Sequence, residues 1–318
     1  QNGINDVKVK SRVPLGPRSS NEFAHVSKTR KNSTHELSAS LVDQSGEVKP
    51  FHHVEIKIGD ESNPNDVVEF ENVIYRTLRT EDMIRPAFKF DQNEITMKDR
   101  NVMIDAMCRY HYKLRMMTNT LYRFIGIFDR YLSVAQIPKQ KLRLYACASF
   151  LIASKIEDVY PTQSTDLIKL SERAFTQKEL FAAEIEIINA IHFDTTFATP
   201  LFYLTQFMRI NDQEERILTA RYILEIMQTH EHFYGVNAAL QASVAVMVTR
   251  IIFEENTKWT KELFDYTQFA EDKVYTEALV VRDMLLEKDR EETRFMRRKY
   301  GSDLFSNVAF ITIPRSFK

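Results

Sequence analysis

The sequence predicts an all-α protein: two tandem five-helix domains, preceded by one further helix and a disordered N-terminal tail. Three observations carry this prediction. From about residue 66 the apolar residues recur at helical spacing, without the period-2 alternation of half-buried strands. Prolines 86, 138, 161 and 200 fall between apolar segments, where a missing N–H costs little. Two segments, "LYACASFLIASKI" from Leu144 and "LQASVAVMVTRII" from Leu240, both place small residues ahead of bulky apolar ones. Small residues let neighbouring helices approach closely, so each segment reads as the buried hub of one domain.

Taken in order, residues 1–65 hold four of the seven glycines and many Ser and Asn with no sustained period, which predicts a disordered regulatory tail. Its "KTRK" at 28–31 is compatible with a nuclear import signal, but four residues fit a solvated basic tail better. Helices are expected at 66–83, 97–116, 118–133, 139–157, 164–172 and 176–191, making a first domain with its preceding helix over 66–195. A second domain and C-terminal segment over 196–318 holds helices at 199–210, 213–230, 236–254, 260–267, 271–287 and 289–299. "TQKE" from Thr176 to Glu179 is a capping box, hydroxyl and carboxylate satisfying the orphan amides of a helix start, and "NDQE" from Asn211 to Glu214 has the same form.

Composition bounds the function. At 318 residues the chain is about twice the length prior for one domain. Lys plus Arg (43) and Asp plus Glu (44) nearly cancel, so the overall charge proposes neither nucleic acid nor membrane as a partner. Cys108 and Cys147 both lie in apolar periodic stretches, as reduced thiols of an intracellular protein would. No window approaches a membrane span and no leader-like apolar run opens the chain, which fits a soluble, non-secreted protein; it begins at Gln1 rather than Met, as a fragment would. Only Gly126, Gly235 and Gly301 follow residue 65, too few for a phosphate-cradling loop. His230-Glu231-His232 spaces its imidazoles two apart, on different helix faces, so no metal site and no cofactor is expected. No nucleophile context is present either, and no catalytic residue is assigned.

One cluster stands out. The hub helix runs through small and apolar residues from Leu144 to Ser154 and then ends in Lys155-Ile156-Glu157-Asp158. An ammonium beside an apolar core must pair or surface, and Glu184, on "ELFAAEIEIINAIHF", is the natural partner. The pair reads either as an internal tie between two helices or as the charged edge of a protein-binding surface that includes Ile152, Ile188, Ile191 and Phe193.

These residues resemble a family. "FLIASKIEDVYP", "LYRFIGIFDRYLS", "QNEITMKDRNVMID", "KWTKELFDYTQF" and "RRKYGSDLFSNVAFI" are together similar to the signatures of mitotic cyclins of the A/B group, with B-type favoured and a B3-like branch included. The resemblance covers residues 66–313 and implies two cyclin boxes. It also implies that Lys155 and Glu184 grip a cyclin-dependent kinase, with Ile152, Ile156, Ile188, Ile191 and Phe193 burying the kinase helix and Ile74 and Leu78 acting as an accessory clasp. The chain would then be a non-catalytic regulatory subunit controlling mitotic progression from nucleus and cytoplasm. It would hold the kinase in its active conformation, because the complex is stable only in that state. A cyclin-box adaptor that activates no kinase is the alternative.

Two further elements follow from the resemblance. "RVPLGPRSSN" is similar to a destruction box, with Arg12 and Leu15 read by the anaphase-promoting ubiquitin ligase, although Asn21 falls one place late. The family's substrate-docking patch corresponds to Asp99, Val102, Met103, Ala106, Arg109, Leu142 and Arg143, and here it diverges. Asp99 replaces a Met, Ala106 a Trp, Arg109 an acid and Arg143 a Gln. A pocket for Arg-x-Leu segments of kinase substrates needs an apolar wall and a carboxylate. The expectation is therefore weak or no Arg-x-Leu docking, or an acidic or phosphorylated motif instead; the remaining reading has Asp99 supplying the lost acid from a new angle.

Overall fold

Apolar periodicity broken by prolines and caps gives twelve α-helices in the computed structural model, which describes residues 51–63, 66–85, 88–210, 213–287 and 290–317. All lie within the unit Lys49–Lys318. Arg12, Leu15, the basic run at 28–31 and Asn211 of the second expected capping box lie outside the described residues.

α1 spans Glu71–Ile84. The next five helices form the first group: α2 (Met97–Leu114), α3 (Thr118–Val134), α4 (Leu142–Glu157), α5 (Ser164–Leu170) and α6 (Gln177–Ala190). The second group is α7 (Pro200–Ile210), α8 (Ile217–Met227), α9 (Ala238–Ile252), α10 (Lys261–Thr267) and α11 (Glu271–Leu286), followed by α12 (Arg294–Tyr300). Among the described residues there is no strand. The Thr176–Glu179 capping box starts α6 as expected. Pro200 occupies the first helical position of α7, where its fixed φ is pre-organised.

Both expected hubs are central. α4 is buried continuously from Tyr145 to Ser154 and packs against α2, α3 and α6. α9 is buried from Ala239 to Ile251 and packs against α7, α8 and α11. Runs of Ala, Ser and Cys in α4, and of Ala, Ser and Val in α9, keep the helix surfaces low enough for three neighbours to close on each.

Polar ties join the two groups. Arg100 on α2 donates to Asp129 on α3 (Nε to Oδ1, 2.9 Å) and to the Gln228 carbonyl after α8. Gly126 leaves room for Phe197, whose ring a Cβ there would meet at 2.4 Å, and the Arg130 guanidinium stacks 3.5 Å from the ring centre. α1 belongs with the second group: Tyr75 stacks on Tyr266 with centroids 4.1 Å apart, and Asp82 accepts from the first amides of α9 at 3.4 Å.

Residues 51–63 depart from the expectation of a tail reaching residue 65. Phe51 is buried, Ile56 and Ile58 pack against the core, and the Val54 N–H donates to the Asp265 carbonyl at 3.1 Å. Spaced apolar residues in an extended segment supply the anchor that a search for helical period overlooks.

Candidate functional site

The charged end of α4 divides its labour. Glu157 accepts from Arg123 on α3 (Nε to Oε1, 2.6 Å), and Arg123 in turn reaches the Phe197 carbonyl. Asp158 accepts from the Met117 N–H at 2.8 Å and from the Thr120 hydroxyl, capping the start of α3. Both acids therefore look inward. Lys155 points the other way and pairs with Glu184 of α6. The lysine side chain keeps 48% of its exposure and the glutamate 16%, so the carboxylate is held in place while the ammonium stays accessible to a partner.

The surroundings of this pair are apolar and open. Ile156 follows Lys155, and Val159 and Tyr160 beyond the helix end are 86% and 88% exposed. On α6, Phe181 and Ile185 flank Glu184, with half-buried Ile188 one turn on. Phe193 is 70% exposed and sits in left-handed backbone (φ 59) beside His192 (φ 53), a conformation that costs a bulky residue energy. The Phe193 N–H bonds back to the Ile188 carbonyl at 2.9 Å, so the end of α6 fixes this ring outward. Large apolar side chains gathered on one surface mark a protein-binding face far more often than a solvated one.

Two residues expected on that face are in the core. Ile152 and Ile191 are 4% and 6% exposed, because the α4 stripe that carries Ile152 packs into the hub and Ile191 closes the end of α6. Val159, Tyr160, Phe181 and Ile185 are exposed there instead and were not among the expected residues. Their signal was present as bulky apolar residues at positions outside the α4 hub stripe and the buried stripe of α6. On α1, Ile74 is exposed and Leu78 half-buried, four apart on one face, while Tyr75 and Arg79 are buried.

The divergent patch on α2 also differs from its expected form. Asp99, the third residue of α2, closes a capping box with Thr96: it accepts from the Thr96 N–H at 2.9 Å while its own N–H donates to the Thr96 hydroxyl. It also pairs with Lys139 at 2.8 Å. Partial burial alone would raise its pKa, but the Lys139 ammonium and the Thr96 donors hold it down at about 2. Asp99 is therefore committed to starting the helix, which weighs against the remaining reading in which it replaces the lost acid. Leu142 is buried and offers no floor at the surface, while Val102, Met103 and Ala106 are half-buried. Arg109 and Arg143 are exposed and lie about Tyr110, the first 5.8 Å from its ring and the second donating to the Ser171 carbonyl at 3.3 Å.

His232 contacts Glu277 rather than forming a ligand set with His230, and no metal-binding cluster occurs among the described residues. Cys108 and Cys147 are free and buried, their thiols pushed up in pKa by burial. No helix among the described residues is long and apolar enough to cross a membrane.

Residues 65–196 match the model of the cyclin N-terminal domain, and residues 198–314 that of the cyclin C-terminal domain. The chain is 25% identical over 264 residues to the G2/mitotic-specific cyclin-B of Patella vulgata, covering 81% of this chain and 64% of that one. It is 29% identical over 268 residues to the G2/mitotic-specific cyclin-B of Marthasterias glacialis, covering 81% and 67%. The chain thus spans a little under two thirds of the first relative's length. The X-ray structure of a viral cyclin from Herpesvirus saimiri superposes with a TM-score of 0.61 at 22% identity, covering 67% of this chain and 97% of that chain, and shows the same fold. With the two domain models matched in order over two helical groups, the chain belongs to the cyclin family.

Proposed function

We propose that this cyclin is the regulatory, non-catalytic subunit of a cyclin-dependent serine/threonine kinase acting in mitosis. The observation that carries the reading is the Lys155–Glu184 pair, standing at the rim of an exposed apolar face. In this role Glu184 orients Lys155, the ammonium bonds to kinase backbone carbonyls, and Ile156, Ile185 and Phe193 cover a kinase helix. Ile74 and Leu78 on α1 form a second contact. Binding selects the kinase state whose active-site ion pair and activation loop are in place. The relatives named G2/mitotic-specific cyclin-B support the mitotic setting. Co-precipitation from cell extract followed by a histone kinase assay tests the reading, with Lys155→Ala and Glu184→Ala as controls. An adaptor that activates no kinase would precipitate without kinase activity.

Two finer parts belong to the same proposal. Arg12 and Leu15 are read by the anaphase-promoting ubiquitin ligase, which would remove the protein at mitotic exit from the nucleus and cytoplasm where it acts. Deleting residues 12–21 is expected to stabilise the chain in mitotic extract; an unchanged half-life removes this part. The α2 patch binds Arg-x-Leu segments of kinase substrates weakly or not at all, because two arginines meet the incoming arginine and Asp99 is already committed. Fluorescence anisotropy with an Arg-x-Leu peptide is expected to give no saturation in the low-micromolar range, and low-micromolar binding would contradict the reading.

A further inference from the structure

A second surface lies where α12 packs against α2. Its anchor is Asp105, which accepts from the Phe295 N–H (2.9 Å to Oδ2) and the Met296 N–H (3.0 Å to Oδ1) at the start of α12. Burial raises the Asp105 pKa to about 6, against the pull of those amides and of the nearby Arg109 and Arg294. The carboxylate is thus engaged from below by backbone while two guanidiniums stand beside it.

Four exposed cations frame this junction. Arg109 and Lys113 sit four apart on α2, and Arg294 and Arg298 four apart on α12, so each pair shares a helix face. Among the described residues none of the four has a carboxylate within 4.0 Å. The next cation along, Arg297, is different: it is turned inward and spent on the carbonyls of Met284 and Glu287. Between the cationic pairs runs an aromatic ridge, with the ring of Tyr112 6.0 Å from Phe295 and 6.2 Å from Phe305. Tyr112 remains 40% exposed and Leu304 beyond it 72%. Arg109 and Arg294 share the attraction of Asp105, but none of the four is in an ion pair, and in a chain of formal net charge −1 they are a local concentration of positive charge rather than a general surplus.

We propose that this α2–α12 face docks a phosphorylated linear segment of a partner protein, with the phosphate held by Arg109 and Arg294 and an adjoining apolar side chain resting on Tyr112 and Phe295. Three of the four cations are arginines, whose planar fork matches phosphate oxygens in pairs, and a dianion with three acceptors answers several cations at once. An unmodified acidic peptide spreads single charges along its length and fits the paired cations less well. A nucleic-acid strand would need a longer positive track, whereas Asp303 and Glu291 lie just beyond the cluster on its own segment.

The test uses the full chain and a degenerate pool of phosphothreonine and phosphoserine peptides, the same pool after phosphatase treatment, and a single-stranded oligonucleotide. Peptides retained on the immobilised protein are then titrated by fluorescence anisotropy. Phosphate-dependent retention is expected, weakened about tenfold by Arg294→Ala and on the order of a hundredfold by Arg109→Ala/Arg294→Ala, with partial recovery in Arg294→Lys. These side chains are exposed, so an unchanged thermal transition confirms folding, and for Arg294→Ala, which lies outside the two faces described above, activation of a bound kinase is expected to be unaffected. Equal retention of phosphorylated and dephosphorylated pools, binding indifferent to these substitutions, or preference for the oligonucleotide overturns the proposal.

Discussion

Lys299→Met is expected to lower the free energy of unfolding by about 3–5 kcal/mol, because it strands a charge in the core. Glu225 on α8 has no exposed surface, and the Lys299 ammonium bonds both of its oxygens at 2.8 Å. The Tyr300 hydroxyl adds a third contact at 2.7 Å. Around them lie Cys108, His111 and Tyr122, all buried, so no water replaces a lost ammonium. Burial also pulls the His111 pKa down, so the imidazole is neutral and supplies no substitute charge. Chemical denaturation of the single variants and of Glu225→Met/Lys299→Met checks the claim: each single change should be costly, and the double variant should recover much of the loss. Additive costs would mean that the two groups act separately. The node ties α8 and α12 together beside α2, so its failure loosens the C-terminal segment from both helical groups.

Much of the architecture was legible because helix boundaries are written in local chemistry. The Thr176 box and Pro200 sit where the sequence placed them, and the two hub segments are buried as their small residues required. Asp99 was read only as a position of the divergent patch, and its capping role went unread. The Thr96-x-x-Asp99 spacing is a capping box with the shorter acid, a variant that the Ser/Thr-x-x-Glu pattern passes over. Ile152 and Ile191 were expected around the pair and lie buried, because proximity in sequence to Lys155 and Glu184 says nothing about which stripe of the helix turns inward. Glu225 and Lys299 lie 74 residues apart, and no local period links them. The aromatic ridge of Tyr112, Phe295 and Phe305 joins distant segments in the same way.

Lys155→Ala and Glu184→Ala are expected to separate function from stability. An ion pair with a half-exposed lysine contributes at most about 1 kcal/mol to folding, so both variants should unfold near the wild-type temperature. In the proposed complex the same ammonium becomes desolvated, and losing it leaves partner carbonyls unpaired at the edge of the apolar face. Glu184→Ala acts one step removed, by releasing the lysine from its orientation. Phe193→Ala should weaken binding without touching the core, since its ring is exposed.

The most direct measurement reconstitutes the purified chain with a cyclin-dependent kinase and follows histone phosphorylation. The wild-type chain should activate the kinase, and Lys155→Ala and Glu184→Ala should each reduce activation at limiting concentration by about tenfold or more with unfolding temperatures unchanged. A wild-type chain that leaves the kinase inactive, or variants that activate it fully, would contradict the assignment of this face.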